Sequence, residues 1–236
     1  MEVRRALRRL ADPAKARVLQ RFFKTGPGEY GAGDRFLGIT VPQVRALCKQ
    51  FPSLTFSDIR SLVRSVFHEE RLFALIWLVL RFKNAQQPER KRIYDFYLAH
   101  TAHINNWDLV DLSTEYIVGP YLRLYCSRSR AMGVLKRLAR SPDIWERRIA
   151  MVATFDFIRA DDFAPCLEIA AVLLDDRHDL MHKAVGWMLR EVGKRDQAVE
   201  EGFLQPVYRG MPRTMLRYAI ERFPHKRRKA YLEGRV

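Results

Sequence analysis

The sequence predicts an all-α fold, because apolar residues recur at helical spacing in almost every segment and no stretch alternates long enough to form a strand. Prolines and glycines fall between these segments, and several are accompanied by Ser, Thr or Asp residues suited to capping the next helix. With 236 residues, 48% of them hydrophobic, the chain can bury a substantial core, which excludes disorder as its main state. We expect thirteen helices, at about residues 2–23, 42–51, 56–66, 69–83, 87–101, 107–119, 131–140, 143–158, 162–174, 179–193, 196–207, 212–222 and 225–232.

An internal repeat refines this prediction to an α-solenoid. Arg71, Arg147 and Lys183 each stand three residues before a small residue inside an apolar helix. The first two are 76 residues apart and the last two 36, so one period of about 36–38 residues accounts for both separations. Such a period, with two helices per unit, is typical of HEAT and armadillo repeats. We therefore expect residues 1–236 to form a single HEAT-like domain, C-shaped, with a concave binding face.

Positive charge is concentrated at the two ends of the chain. Lys and Arg exceed Asp and Glu by 15; residues 1–24 and 205–236 contribute +6 and +7, whereas the 180 residues between them contribute only +2. This distribution favours a polyanionic partner. Two interpretations of the basic ends stay open: solvated helix faces that aid solubility, or clamps on a phosphate backbone. The clamp interpretation concerns Arg4, Arg5, Arg8, Arg9, Arg209, Arg213 and Arg217, together with the run Lys226–Lys229.

Several other classes of protein are excluded. The longest apolar run, Leu72–Leu80, is about half as long as a membrane-spanning helix, and the N-terminus lacks the apolar stretch of a secretory signal. The three cysteines lack metal-ligand spacing and are expected to be reduced. No nucleotide-binding, serine-hydrolase or metalloprotease motif is present, and His178 and His182 have no third ligand nearby. We expect a cytoplasmic protein with no cofactor, no metal ion and no membrane association.

The segment Asn106-Trp107-Asp108-Leu109-Val110-Asp111 is the strongest candidate for chemistry. Trp107 and Asp111 are four residues apart and share a helical face, whereas Asp108 points elsewhere or caps the helix start. An indole beside a carboxylate can bind a cation, but the same residues also suit a core tryptophan and an ion-paired aspartate. A second tryptophan, Trp187, follows Gly186, which either admits a ligand to the backbone or packs two helices together.

A third candidate helix begins with Ile144-Trp145-Glu146-Arg147-Arg148. Only one of the adjacent arginines can lie near a given ligand, and Trp145 shares a helical face with Arg148. Two alternatives stay open. Either Trp145 packs in the core while Arg148 pairs with a carboxylate, or the planar guanidinium of Arg148 donates two hydrogen bonds to a phosphate.

Four segments together resemble the AlkD-type alkylpurine DNA glycosylases of the DNA alkylation repair group. In order, they are Phe36-Leu37-Gly38-Ile39 followed by Pro42 and Arg45, Trp107-Asp108-x-x-Asp111, Ile144-Trp145-x-x-Arg148, and Lys183-Ala184-x-Gly186-Trp187-x-x-Arg190-Glu191. None is specific alone, but the four occur in the right order and at fitting separations over most of the chain. Thr40 departs from the pattern, because a larger polar residue can occur there in relatives.

The resemblance implies a HEAT-like solenoid that holds duplex DNA in its concave groove and hydrolytically removes cationic N3- or N7-alkylated purines. It assigns the catalytic carboxylate to Asp111 and the two sugar-contacting tryptophans to Trp107 and Trp187. It also implies that the damaged nucleotide is not turned into a pocket. The resemblance assigns Arg148 to a contact with the phosphate backbone of the DNA. Arg147, Lys183 and Arg190 are also expected to bind DNA. We expect a monomer with no obligate protein partner.

Elementary chemistry supports the implied reaction. An alkylated purine already carries positive charge, so its glycosidic bond is weak and the departing base needs no general acid. Bond breaking leaves an oxocarbenium-like deoxyribose, which a carboxylate such as Asp111 stabilises electrostatically. Two functions from other classes stay open: a non-catalytic HEAT-repeat protein that recognises branched or bent DNA, and a protein-interaction scaffold.

Overall fold

A computed structural model describes residues 2–236 and confirms the all-α class of helical repeats. Within this range no strand forms, and Arg35 and Phe67 make one isolated parallel bridge. Two short 3-10 helices cover Thr101–His103 and Ile220–Arg222. Across residues 2–236 the α-helices are α1 Glu2–Arg9, α2 Pro13–Phe22, α3 Val41–Cys48, α4 Phe56–Val63, α5 His68–Asn84, α6 Gln87–Leu98, α7 Trp107–Tyr125, α8 Arg128–Ala139, α9 Ile144–Arg159, α10 Ala164–Val172, α11 Asp179–Gly193, α12 Gln197–Leu204, α13 Arg213–Ala219 and α14 His225–Leu232.

The single helix predicted over residues 2–23 is wrong, because the chain breaks at Asp12. This residue has an extended backbone (φ −126°, ψ 102°), and its carboxylate accepts the backbone N–H groups of Ala14 and Lys15 at 3.0 and 3.1 Å. Pro13 then begins α2, where its missing N–H removes no helical hydrogen bond. An aspartate cap followed by proline therefore starts a new helix here.

Helix α7 continues past the position where the sequence predicts its end. Pro120 lies inside the helix and has no N–H to donate to the carbonyl group four residues earlier. Ile117, Val118 and Leu122, on either side of this proline, are completely buried. Burial of these side chains offsets the lost hydrogen bond, and the helix extends to Tyr125.

The predicted repeat has a structural counterpart at two of its marker residues. Arg71 Nη1 donates to the carbonyl of Ser65, and Arg147 Nη1 donates to the carbonyl of Ser141, each at 3.0 Å and each six residues back along the chain. Each arginine also lies 2.6 Å from an aspartate carboxylate. The hydrogen bond to a serine carbonyl therefore recurs 76 residues later in the chain.

The chain divides into two compact units, the first ending at Ser113 and the second beginning at Thr114. In the first unit, the apolar run that begins at Leu72 is buried as far as Leu78, so it forms core rather than a membrane segment. Among the described residues, no helix combines the length and apolar character needed to cross a bilayer. The single domain over residues 1–236 stays a prediction.

Candidate functional site

Trp107 begins α7 and is held by aromatic side chains of the first unit. Its ring stacks on Phe23, with centroids 5.2 Å apart and planes 24° apart, and Phe22 meets it edge-on at 6.0 Å. The indole Nε1 donates to the hydroxyl of Tyr30 at 3.3 Å. Trp107 is half-buried, so the indole is fixed in position but still reaches the surface.

An aromatic column extends from this tryptophan into the core. Phe23 stacks on Phe36 with centroids 5.1 Å apart, and Phe36 stacks on the imidazole of His68 at 4.5 Å. Stacked pairs of this kind add stability beyond the burial of their surfaces. The column therefore restricts movement of Trp107 toward the core.

His68 connects this column to the start of α7 through charge. Only 2% of the residue is exposed, and its Nε2 lies 2.8 Å from Asp108 Oδ2, while Nδ1 lies 3.5 Å from Asp34 Oδ2. Burial alone lowers the pKa of His68, but Asp108 and then Asp34 raise it to about 8. At neutral pH the imidazolium therefore anchors the helix that carries both Trp107 and Asp111.

Asp111 lies on α7 one turn after Trp107, so the structure confirms that these two candidates share one helix and one face. Its side chain is half-buried. Asp108 does not belong to this pair, since it contacts His68 and its Oδ1 accepts the Leu109 N–H at 2.8 Å. The sequence predicts that Asp108 either caps the helix start or points away from the face shared by Trp107 and Asp111. In the structure its carboxylate contacts His68 and a backbone N–H, and so it anchors the start of α7.

The residues that support Trp107 were not predicted from the sequence. His68 and its partner Asp108 are 40 residues apart in the chain, and Asp34 lies in a different segment again. A histidine at the start of an apolar helix indicates a polar group that needs partners in the core. The spacing of residues along the chain did not identify those partners. Arg71, noted only as a repeat marker, completes the group with its Nη2 2.6 Å from Asp34 Oδ2.

Trp187 lies on α11 in the second unit and is oriented by a carboxylate. Its Nε1 donates to Glu191 Oε1 at 3.2 Å, and its ring lies 5.9 Å from that of Phe155. Lys194 Nζ, at 2.7 Å, and Arg190 Nη2, at 3.5 Å, contact the same carboxylate oxygen. Half-buried, Trp187 thus lies beside a cluster of charged groups.

Gly186 packs two helices together. A Cβ at this position would lie 2.4 Å from the carbonyl oxygen of Met215 and 2.5 Å from Cβ of Tyr218, both on α13. Of the two alternatives open in the sequence, the contacts support helix packing. Glycine lets α11 approach α13 closely and thereby sets the position of Trp187.

Replacing Gly186 with alanine is expected to lower the free energy of unfolding by about 1–3 kcal/mol, because the added methyl group must push α13 away. Urea denaturation measures the loss. Gly133→Ala is the matched control, since nothing lies within 4 Å of the added Cβ in α8, and it should be neutral or stabilising. Equal losses in the two variants would contradict the packing role.

The predicted DNA-binding side chains contact other groups of the protein. Arg148 is 5% exposed, and its Nη1 donates to the carbonyl of Leu180 at 2.6 Å. The ion pairs join Arg147 to Asp176 at 2.6 Å, Lys183 to Asp179 at 2.7 Å, and Arg190 to Glu221. A DNA phosphate that bound one of these side chains would share the cation with the protein group that it already contacts. The DNA contacts of these four residues stay predictions.

Trp145, which precedes Arg148 by three residues, is 5% exposed. Its burial matches the alternative in which this tryptophan packs in the core. It is therefore not a surface for stacking a ligand.

Several cations of the two basic ends make structural contacts, and most of the predicted clamp residues are exposed. In α1, Arg4 Nε lies 2.8 Å from Glu70 and its Nη2 donates to the carbonyl of Ser61, so this arginine ties α1 to the first unit. Near the other end, Arg209 and Arg213 donate to backbone carbonyls close to the C-terminus. The exposed members of the predicted clamps are Arg5, Arg8, Arg9, Arg209, Arg213, Arg217, Lys226 and Lys229.

The described residues contain no group of three or more His, Cys, Asp or Glu side chains placed to hold a metal ion. His178, considered above as half of a pair, instead accepts the Leu180 N–H through Nδ1 at 3.1 Å. His182 Nε2 contacts the backbone carbonyl of Asp176. Both imidazoles thus take part in local contacts around the start of α11.

The family model described as DNA alkylation repair enzyme matches residues 3–223, and the chain therefore belongs to that family. The resemblance seen in the sequence is confirmed at the level of the family. Membership supports a role in the repair of alkylated DNA, with DNA as the substrate.

A solved structure shows the same fold. It is described as a predicted DNA alkylation repair enzyme from Enterococcus faecalis, and it superposes with a TM-score of 0.72 at 15% sequence identity. The match covers 91% of this chain and 97% of that one. No protein among those with curated descriptions matches this chain.

Proposed function

We propose that this protein is a DNA glycosylase that hydrolyses the N-glycosidic bond of cationic N3- or N7-alkylated purines in duplex DNA. The observation that carries the proposal is the placement of Trp107 and Asp111 one turn apart on α7, a helix whose start is anchored by buried His68. Family membership supports alkylated DNA as the substrate. An indole and a carboxylate held on one face can stabilise the positive charge that the sugar gains as the base departs.

The proposed reaction breaks the bond between C1′ of the deoxyribose and the purine nitrogen, and the electron pair leaves with the base. The base is neutralised by that pair, so no acid has to protonate it. Positive charge passes to the sugar, where the Asp111 carboxylate stabilises it. Water then adds to C1′ and releases a proton to solvent, which leaves an abasic site.

Trp107 would favour the same transition state. Its electron-rich ring attracts a cation by about 0.5–2 kcal/mol, and this attraction grows as charge develops on the sugar. An interaction that strengthens along the reaction lowers the barrier, whereas equal binding of substrate and transition state does not. The aromatic column behind Trp107 would hold its ring in position before the DNA arrives.

The remaining roles in the proposal are those that the sequence assigned to Trp187, Arg148 and the exposed cations. Trp187 would supply a second indole, and Arg148 would contact the phosphate backbone. The exposed arginines and lysines of the two basic ends would add affinity that does not depend on sequence. The second candidate function is a non-catalytic protein that binds branched or bent DNA. Such a protein would use these cations and would not require Asp111.

Base release decides between the two candidates. Incubated with duplex DNA methylated at purines, the protein is expected to release 3-methyladenine or 7-methylguanine over many turnovers, as measured by chromatography of the free bases. Unmethylated duplex of the same sequence is the control and should release none. Tight binding of methylated duplex without any release above the spontaneous rate would overturn the glycosylase and leave the binder.

A further inference from the structure

His68 lies between two carboxylates that come from different parts of the first unit. Its Nε2 lies 2.8 Å from Asp108 Oδ2, in the first turn of α7, and its Nδ1 lies 3.5 Å from Asp34 Oδ2, between α2 and α3. The side chains are 2% exposed in His68, 3% in Asp34 and 14% in Asp108. Water therefore screens these charges little, and their interactions are stronger than those of exposed pairs.

Only the protonated imidazole can satisfy both carboxylates. An imidazolium carries an N–H on each ring nitrogen, whereas a neutral imidazole has one N–H and one lone pair. Loss of the proton therefore turns a lone pair of His68 toward either Asp34 or Asp108, and it removes the positive charge between them. A buried carboxylate that loses its donor in this way is destabilised more than an exposed one.

Arg71 makes the two carboxylates unequal. Its Nη2 lies 2.6 Å from Asp34 Oδ2, so Asp34 keeps a positive partner when His68 is neutral. The ion pair of Asp108 is with His68. Deprotonation of the imidazole therefore weakens the hold on Asp108, and thus on α7, more than the hold on Asp34.

Two further charged side chains lie close to this group. Glu69, beside His68 on α5, accepts three backbone N–H groups of the segment before α3 at 2.8–3.1 Å. Lys15, from α2, lines the same cavity of about 290 Å³ as His68 and Asp108, but its ion pair is with Asp12, at 3.6 Å. Neither side chain replaces the imidazolium as the partner of Asp108.

Asp108 links the charge of His68 to Trp107, the residue before it in the chain. Its Oδ1 accepts the Leu109 N–H at 2.8 Å, so the same carboxylate is part of the first turn of α7. Trp107 begins that turn, and its ring stacks on Phe23, which lies 5.1 Å from the imidazole. The charge therefore acts on Trp107 through the backbone of α7 and through the aromatic column.

We propose that protonation of His68 is a pH-sensitive switch that fixes the first turn of α7 and thereby positions Trp107. His68 is a positioning residue in this role, because it acts through Asp108. Burial lowers the pKa of His68, but Asp108 and then Asp34 raise it to about 8. The turn is therefore fixed below about pH 8 and loosened above it. The inference rests on the proposed function only where base release is the readout.

Nuclear magnetic resonance of the free protein tests the switch without DNA. Between about pH 6.5 and about pH 9.5, the imidazole signals of His68 and the indole N–H signal of Trp107 are expected to shift with one shared midpoint near pH 8. The indole N–H of Trp187, in the second unit, is the internal control and should not follow that midpoint. Trp107→Phe and Trp187→Phe assign the two indole signals.

Two variants change the charge in different ways. Glutamine has donors and an acceptor but no charge, so in His68→Gln the Trp107 signal should stay at its high-pH position at every pH. Asp108→Asn keeps an oxygen for the Leu109 N–H but removes the carboxylate that most raises the pKa of His68, so the shared midpoint should move to lower pH. His225→Gln removes an exposed histidine of the second unit and should titrate like the wild-type protein.

Single-turnover release of bases from methylated duplex provides the second readout. The rate is expected to fall about five- to tenfold across the midpoint, the usual difference between a charged and a neutral hydrogen bond, while duplex affinity stays constant. Thermal melting at each pH shows that the variants are folded.

Three results would overturn the switch: a Trp107 signal that does not follow His68, a midpoint that Asp108→Asn leaves unchanged, or release at a constant rate across the midpoint. If Trp107 follows His68 but no base is released at any pH, the switch stands and only the glycosylase is removed.

Discussion

Asp111→Asn should lower the single-turnover rate of base release from methylated duplex by about 10²–10³-fold, the usual cost of removing one group that stabilises transition-state charge. Asparagine keeps the shape of the side chain and loses its negative charge, so the oxocarbenium-like sugar forms beside a neutral amide. Affinity for the intact duplex should be unchanged, because the lost interaction develops only as the bond breaks. Quenched-flow sampling of the free base measures the rate.

Asp175→Asn is the matched control for this variant. Asp175 is exposed between α10 and α11, and its replacement removes the same charge from the protein. Its rate of release should equal that of the wild-type protein. If Asp111→Asn also released bases at the wild-type rate, the carboxylate would have no role in the reaction.

Glu200→Gln should weaken the fall in the protein's stability as pH rises. Glu200 is 1% exposed, and its Oε1 makes no hydrogen bond to any described group. Burial, followed by the nearby Glu201, raises its pKa from 4.5 to about 9, although Arg190 opposes the shift. The folded protein thus keeps a proton on Glu200 that the unfolded chain has already lost.

The sign of this effect follows from the proton count. Because the unfolded state binds fewer protons, stability from Glu200 is complete below about pH 4.5 and falls by about 1.4 kcal/mol per pH unit up to about 9. Urea denaturation from pH 5 to 8 should show this fall in the wild-type protein and a smaller one in Glu200→Gln. His68, with a pKa raised to about 8, loses its contribution in the same direction as pH rises from 6.5, so only the difference between the two proteins isolates Glu200.

Glu168→Gln controls for the loss of one negative charge. Glu168 is on the surface of α10, where its carboxylate pairs with Lys136 at 2.7 Å and remains about half exposed. Its variant should retain the full pH dependence of the wild-type protein. Parallel curves for wild type and Glu200→Gln would show that Glu200 is ionised in the folded state.

The order of helices could be predicted from the sequence because periodic apolar residues report burial on one helix face. Errors arose where two local signals competed. At Asp12-Pro13 apolar periodicity favours one long helix, whereas the capping aspartate and the proline favour a break, and the break is what forms. Around Pro120 the helix continues beyond the predicted end at residue 119, because Ile117, Val118 and Leu122 are buried.

The candidate site was predictable only where its residues are close in the chain. Trp107 and Asp111 share a face because they are four residues apart, and helix geometry alone requires it. The support of Trp107 by Phe23, Phe36 and His68 depends on packing between segments that are far apart in sequence. No spacing rule encodes such contacts, and therefore the supporting residues and the adjoining cavity emerged only from the structure.

The recurring contact of Arg71 and Arg147 with a serine carbonyl has a consequence for biosynthesis. Each contact spans six residues, and short loops close quickly and at little cost in chain entropy. Each half of the polypeptide thus contains one such local contact. A nascent chain emerging from the ribosome can therefore form the contact of Arg71 before the segment that holds Arg147 has been translated.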